Sequence, residues 1–224
     1  SKGGNDDILV SDPLNGRIVR YSNSGVFISQ FYYNNPESEL PSVIETDADG
    51  NIYVLKVFMD QSQSVIDVYS SSGTFMGIIG NNAGLSVCLG MAITPYMIFV
   101  TDFGNNNVKV LDTQGNLLGV FNALGSEHGR LSGPAGIMAD NDGVIYITES
   151  NAQRVRMFDA DGNYLGIFEE GLSVPFGIVR DNNGNVYVSD LAGWPVNKYM
   201  PCGTVPLPTF TPVTTPAPEI CLNF

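Results

Sequence analysis

One glycine spacing constrains this chain more than any other feature. A glycine stands four residues after an aromatic residue or leucine at Tyr21 and Gly25, Tyr69 and Gly73, Leu111 and Gly115, Phe158 and Gly162, and Tyr199 and Gly203. Six residues after the first four of these glycines comes a large apolar residue: Phe31, Ile79, Phe121 and Phe168. The glycines lie 48, 42, 47 and 41 residues apart, so the 224 residues form a tandem array of units, each long enough for four short strands.

The strands of a unit follow from pattern. The first reads "PAGIMAD" (134 to 140), "PSVIETD" (41 to 47) and "PFGIVRD" (175 to 181). A turn such as "DNDG" or "DNNG" leads to an apolar triplet: "ILV" (8 to 10), "IYV" (52 to 54), "IFV" (98 to 100), "IYI" (145 to 147) or "VYV" (186 to 188). These triplets do not alternate with polar residues, which is how strands covered on both faces read. A polar connection, "DPLNGR" (12 to 17) or "DFGNNN" (102 to 107), leads to a third strand and the glycine turn, and a segment such as "YLGIF" (164 to 168) closes the unit. No stretch carries helical periodicity with caps, so the chain is expected to be all-β.

The units together spell Pro-x-Gly-Ile, Gly-Asn-Ile-Tyr-Val, an Asp followed by Asn three and Arg five residues later, and Gly-x-(Leu/Phe) in the last strand. "DPLNGRIVRYSNSGVFISQF" and "PFGIVRDNNGNVYVSD" carry this most fully. In these motifs, from Ile8 to Gly203, the chain resembles the NHL-repeat β-propeller family. The resemblance implies a propeller of four-stranded blades and leaves the function open. The second unit departs from the pattern with Leu55 where the others carry Asp or Glu, and with a longer connection, "KVFMDQSQS". The third lacks the Pro and the acidic turn around "GMAITPY".

A closed propeller of five blades needs a first strand that the N-terminus does not supply. The interval from the repeat glycine to the next first-strand proline is 16 from Gly25 to Pro41, 19 from Gly115 to Pro134 and 13 from Gly162 to Pro175; Pro218 lies 15 after Gly203. "PEICLNF" (218 to 224), with Ile220, Leu222 and Phe224 alternating, is therefore expected to complete the shared blade. It would do so within its own chain, which the spacing favours, or by donation to the next molecule. "TVPLPTF" (204 to 210) takes the place of the fifth unit's edge strand. There Pro206 and Pro208, two apart, leave both missing N–H groups on one side. The expected organisation is propeller repeats over 1–203, a Pro/Thr-rich edge strand and linker over 204–218, and a closing or donated strand over 219–224.

Charge excludes some partners. Ten Lys and Arg, scattered, stand against 23 Asp and Glu, a net charge of -13 that disfavours nucleic acid and anionic membrane surfaces. No apolar run reaches the roughly 18 to 20 residues of a membrane-spanning helix, so no membrane insertion is expected. The three cysteines, Cys88, Cys202 and Cys221, cannot all pair within the chain, and free thiols are expected.

The candidate chemistry is sparse. His128, in "GSEHGRLSG", is the only histidine and reads as a solvated loop residue, whereas propeller lyases of related fold rely on several histidines and metals. The "DADG" (47 to 50), "DNDG" (140 to 143) and "DADG" (159 to 162) segments invite a calcium reading. They lack the full Asp-x-Asp-x-Asp-Gly loop, and turn chemistry explains them better. Asp12, Asp102, Glu149 and Asp190 end four second strands and would form an acidic ring, expected to hold the following turns with help from Arg17 and Arg154. Thr209, Thr211, Thr214 and Thr215 among prolines resemble an O-glycosylated stretch.

The function expected from these residues is a non-enzymatic extracellular or surface-exposed scaffold. Its partners would be other copies of itself or extracellular protein or glycan, with assembly into a filament through the C-terminal arm. No catalytic residue, metal or cofactor is expected. A carbohydrate or small-ligand binding propeller is the alternative, and a lyase or lactonase-type enzyme comes third.

Overall fold

In a computed structural model, residues 7–33, 39–58, 60, 63–122, 129–193, 195–201 and 210–213 are described. They form five antiparallel sheets in chain order. The first contains β1 (Ile8–Asp12), β2 (Arg17–Tyr21) and β3 (Phe27–Tyr32). The second contains β4 (Glu39–Thr46), β5 (Ile52–Phe58), β6 (Ser64–Tyr69) and β7 (Phe75–Ile79). The third contains β8 (Cys88–Ile93), β9 (Ile98–Asp102), β10 (Asn107–Leu111) and β11 (Leu117–Phe121). The fourth contains β12 (Pro134–Ala139), β13 (Ile145–Glu149), β14 (Arg154–Phe158) and β15 (Tyr164–Glu170). The fifth contains β16 (Pro175–Arg180), β17 (Val186–Asp190), β18 (Val196–Pro201) and β19 (Phe210–Val213). This is the all-β, five-bladed propeller architecture the repeats predict. Contacts group the sheets into two compact units, residues 1–121 with the first three and 122–224 with the last two.

The repeat motifs now have physical reasons. Gly25, Gly73, Gly115 and Gly162 turn the third strand into the fourth at φ of +81°, +86°, +83° and +84°, where a side chain would be strained. In two of the repeat units the apolar residue six positions later covers the neighbouring sheet. Phe31 stacks against Tyr69 at 5.0 Å, and in the second unit Phe168 lies 5.2 Å from Tyr199, edge on. Burying a side chain such as Phe168 contributes about 1.5–3 kcal/mol. The Pro-x-Gly-Ile motif marks a β-bulge in each first strand, between Pro134 and Ile137 in β12 and between Pro175 and Ile178 in β16. Glycine is required at 136, because a Cβ there would lie 2.2 Å from the Phe176 carbonyl oxygen.

Register corrects one expectation. The first residue of the motif pairs with the last of the second strand as Cys88↔Asp102, Pro134↔Glu149 and Pro175↔Asp190, and in the second sheet the same rung is Pro41↔Lys56. Lys56, rather than Leu55, therefore stands where the other sheets have an acid. Beyond that rung β4 and β5 run on by two more, Leu40↔Val57 and Glu39↔Phe58, which the other first hairpins among the described residues do not have.

At the C-terminal end, the edge strand of the fifth sheet is Phe210–Val213, with Pro212 opposite Tyr199; it begins where the predicted "TVPLPTF" strand ends. Pro206, Pro208, Thr209, Thr214, Thr215, Ile220, Leu222 and Phe224 lie outside the described residues, and the first sheet has three strands among those described.

Candidate functional site

Each sheet has two kinds of end. One carries the two hairpin turns that join first to second and third to fourth strands. The other carries the second-to-third connection and the entry to the first strand.

The hairpin end is built from aspartate turns. Asp47 Oδ1 accepts from the backbone N–H groups of Asp49 and Asn51 at 3.0 and 2.8 Å, and its Oδ2 from the Asn51 amide at 2.9 Å. Asp159 makes the same three bonds with Asp161 and Asn163. Asp140 takes the N–H groups of Asp142 and Val144, and its Oδ2 faces the Tyr146 hydroxyl at 3.3 Å and Arg180 at 3.5 Å. The Asn163 amide, aided by backbone N–H groups, holds the Asp159 carboxyl below its ordinary range, and Asn185 does the same for Asp181. This is the Asx-turn geometry expected of such sequences.

Each predicted acid lies at the opposite end of its own sheet. Asp12 is partly exposed and bonds Arg17 Nε at 2.8 Å and the Asn15 amide at 2.9 Å; those side-chain bonds lower its pKa. Asp102 is buried and accepts from Ser86 N–H at 3.2 Å, Asn105 N–H at 3.1 Å and the Asn105 amide at 2.8 Å. Glu149 is buried and accepts from Ser132 N–H at 2.8 Å, Arg154 Nε at 2.8 Å and Arg156 Nε at 2.5 Å. Asp190 accepts from the N–H groups of Ser173, Val174 and Ala192 at 2.7, 2.8 and 3.1 Å. Burial pushes the Asp190 carboxyl up, and those backbone bonds outweigh it, so the net shift is downward. Three of these acids thus fasten the segment entering the first strand: Ser86, Ser132, and Ser173 with Val174.

Two features escaped the sequence reading. Arg156 runs fully buried beneath Glu149, lies over the Phe158 ring at 5.5 Å, and donates from Nη1 to the Gly129 carbonyl at 2.9 Å. In the second sheet Lys56 Nζ meets Asp67 Oδ2 at 2.8 Å, and the Tyr69 hydroxyl donates to the same oxygen at 2.9 Å. Their signal was a charged residue between apolar neighbours inside a strand, as in "LKV", "IDV" and "VRM". The residue before each acid is a further device: Thr148 Oγ1 donates to the Phe176 carbonyl at 2.7 Å, and Ser189 Oγ accepts from Gly177 N–H at 2.8 Å, tying second strands to the bulges. Among the described residues no three His, Cys, Asp or Glu side chains are grouped as a metal ion would need. His128 lies outside the described residues.

No protein-family model matches the sequence, and no curated protein is similar to it at the sequence level. Solved structures share its fold. Virginiamycin B lyase from Staphylococcus aureus superposes with a TM-score of 0.68 at 14% identity over 97% of this chain and 69% of that one. A gluconolactonase from Xanthomonas campestris gives 0.68 at 14% identity over 84% and 67%. A luciferin-regenerating enzyme gives 0.63 at 14% over 78% and 64%, and a streptogramin B lyase, of which this chain covers 66%, gives 0.67 at 16%. The chain thus spans about two thirds of the length of these proteins. At such identities the likeness shows the fold. It also contradicts the expectation of a non-enzymatic extracellular scaffold, because the neighbours named here are two lyases, a gluconolactonase and a luciferin-regenerating enzyme.

Proposed function

We propose that this chain is a propeller enzyme of the lyase or lactonase type, cleaving an ester-like C–O bond in a small molecule by elimination or by hydrolysis. The observation that carries this reading is the likeness, over 84% to 97% of the chain, to a virginiamycin B lyase and a gluconolactonase. The blade end with the second-to-third connections is the place for the chemistry. Loops held on a rigid scaffold commonly carry reacting groups, and here Asp102, Glu149 and Asp190 fasten, through backbone N–H groups, the segments that enter the first strands at the same end of their sheets. On this reading the acids are positioning residues, and the groups that touch substrate belong to the loops they hold. The blades are NHL-type repeats on the same proposal, supported by the bulge at Pro-x-Gly-Ile and the glycine turns.

The test is direct. The purified full chain is incubated with a panel of lactones and acyclic and cyclic esters, with and without added divalent cations, and products are weighed by mass spectrometry. Gain of one water marks hydrolysis, and a new double bond with no added water marks elimination. Turnover of one class above the protein-free control is expected; no turnover of any member under any condition overturns the proposal.

A further inference from the structure

The second sheet departs from its neighbours at the end assigned to the chemistry, and the departure leaves a cleft. The two extra rungs of β4 and β5 carry Leu40, Val57 and Phe58 beyond the position where other second strands end. Together with Pro41 and with Val87 and Leu89 at the start of the third sheet, they line a cavity of about 280 Å³. Elsewhere this position is occupied by a polar connection on a carboxylate. Here the carboxylate is replaced by Lys56, whose charge is met by Asp67 at 2.8 Å with neither side chain exposed. The remaining polar group of the lining, the Ser42 hydroxyl, donates to the carbonyls of Leu55 and Cys88 at 3.3 and 3.2 Å, bridging the two sheets.

We infer that this cleft is a binding site for a neutral, apolar group of the ligand, a single ring or a short branched chain. The inference rests on the enzymatic reading only for the identity of the molecule that brings the group. The walls offer aliphatic and aromatic carbon, so burial from water supplies the attraction. The local charge is cancelled, so an ionic group gains nothing there, and an anion is repelled by a chain of net charge -13. The volume lies just under the roughly 300–1,000 Å³ of pockets that enclose whole drug-sized ligands, so the cleft takes one substituent of a larger molecule. Leu89, from the third sheet, and Val57, from the second, are the specificity-determining residues.

The experiment is calorimetric titration of the full chain with 4-phenyl-1-butanol, and with 4-phenylbutyrate as its anionic counterpart. Saturable binding of the alcohol is expected, at least tenfold tighter than the acid. Leu89→Glu should weaken the alcohol at least tenfold, and Leu118→Glu, on an exposed outer strand, should leave it unchanged. If Leu89→Glu does not fold, Val57→Ser is read in its place, with a loss of at least threefold expected. No saturable binding, equal binding of alcohol and acid, or indifference to both cleft variants overturns the inference. Binding lost in the variants without turnover of any ester refutes the proposed activity and leaves the site standing. Turnover whose KM is the same in Leu89→Glu refutes the site and leaves the activity standing.

Discussion

Lys56 and Asp67 occupy the same two rungs in the second sheet that Glu149 and Arg156 occupy in the fourth, with the charges exchanged. Lys56 pairs with Pro41 as Glu149 pairs with Pro134. Asp67 and Arg156 each stand two residues before the aromatic that pairs with the first residue of the second strand, Tyr69 opposite Ile52 and Phe158 opposite Ile145. All four side chains are fully buried. The two sheets have solved one packing problem, a polar pair inside a covered strand, with opposite polarity.

Removing one partner of such a pair leaves a dry, unmatched charge. Lys56→Met should lower unfolding free energy by about 3–5 kcal/mol. Adding Asp67→Leu should recover part of that loss, because two apolar residues replace the pair while the buried Tyr69 hydroxyl loses its acceptor. Urea unfolding of wild type, single and double variants reads both effects; a double variant as unstable as the single would show that the pair is not the cause.

Gly136→Ala puts a methyl group 2.2 Å from the Phe176 carbonyl oxygen and must move one strand of a packed pair, which should destabilise by about 1–3 kcal/mol. Gly25→Ala has no neighbouring atom within 4 Å, and its φ of +81° alone should lower stability by about 1–2 kcal/mol. The two are told apart by structure as well as stability: only Gly136→Ala should shift the amide resonances of residues 176 to 178.

Aspartates held by backbone and amide N–H groups set the acid limit of the fold. Asp190, through the N–H groups of Val174, Ser173 and Ala192 that outweigh its burial, has a folded pKa below the ordinary 3.8, as do Asp112 and Asp159 through their Asn partners. A depressed folded value means that the stabilisation is complete above the unfolded pKa and is lost as pH falls through the folded one. Stability should therefore hold down to about pH 4 and drop below it. Asp190→Asn should be less stable at pH 7 and show a shallower drop below pH 4, measured as the shift of the urea midpoint with pH.

Cys88 is fully buried, and burial, reinforced by the negative charge of Asp102, pushes its thiol up to about 12. Essentially no thiolate exists at pH 8. A chromogenic disulfide reagent at that pH should leave Cys88 unmodified in the native chain and modify it once denaturant is added, as located by peptide mass mapping. Rapid modification of native Cys88 would contradict the packing of the third sheet.

The fold was legible because its signals are steric and local. Gly73 and Gly115 need a backbone conformation that other residues resist, and Phe168 needs the face of Tyr199, so spacing alone located strands and turns. The second sheet was misread by one position, although the count of four that leads from Ile98 to Asp102 and from Ile145 to Glu149 leads from Ile52 to Lys56; a lysine flanked by Leu55 and Val57 does not look like the acid that ends the other strands. The acids were found, yet an acid that fastens a loop and an acid that moves a proton look alike in sequence. Only the N–H groups of Ser132 and Ser173, each brought in from 17 residues earlier in the chain, tell them apart. The function was the least legible part, since the groups that fix loops repeat from sheet to sheet and the groups that meet a ligand need not.

A chain made of near copies can pair a strand of one copy with the partner strand of another while it folds. If β5 took β14 in the same register, Lys56 would stand opposite Arg154 with Arg156 next to it on the same face; if β13 took β6, Glu149 would stand opposite Val65 with Asp67 next to it on the same face. Either exchange brings like charges together where no water can separate them. The reversed polarity of the two pairs thus works as an identity tag on each copy, admitting its own partner strand and rejecting the look-alike from two copies away.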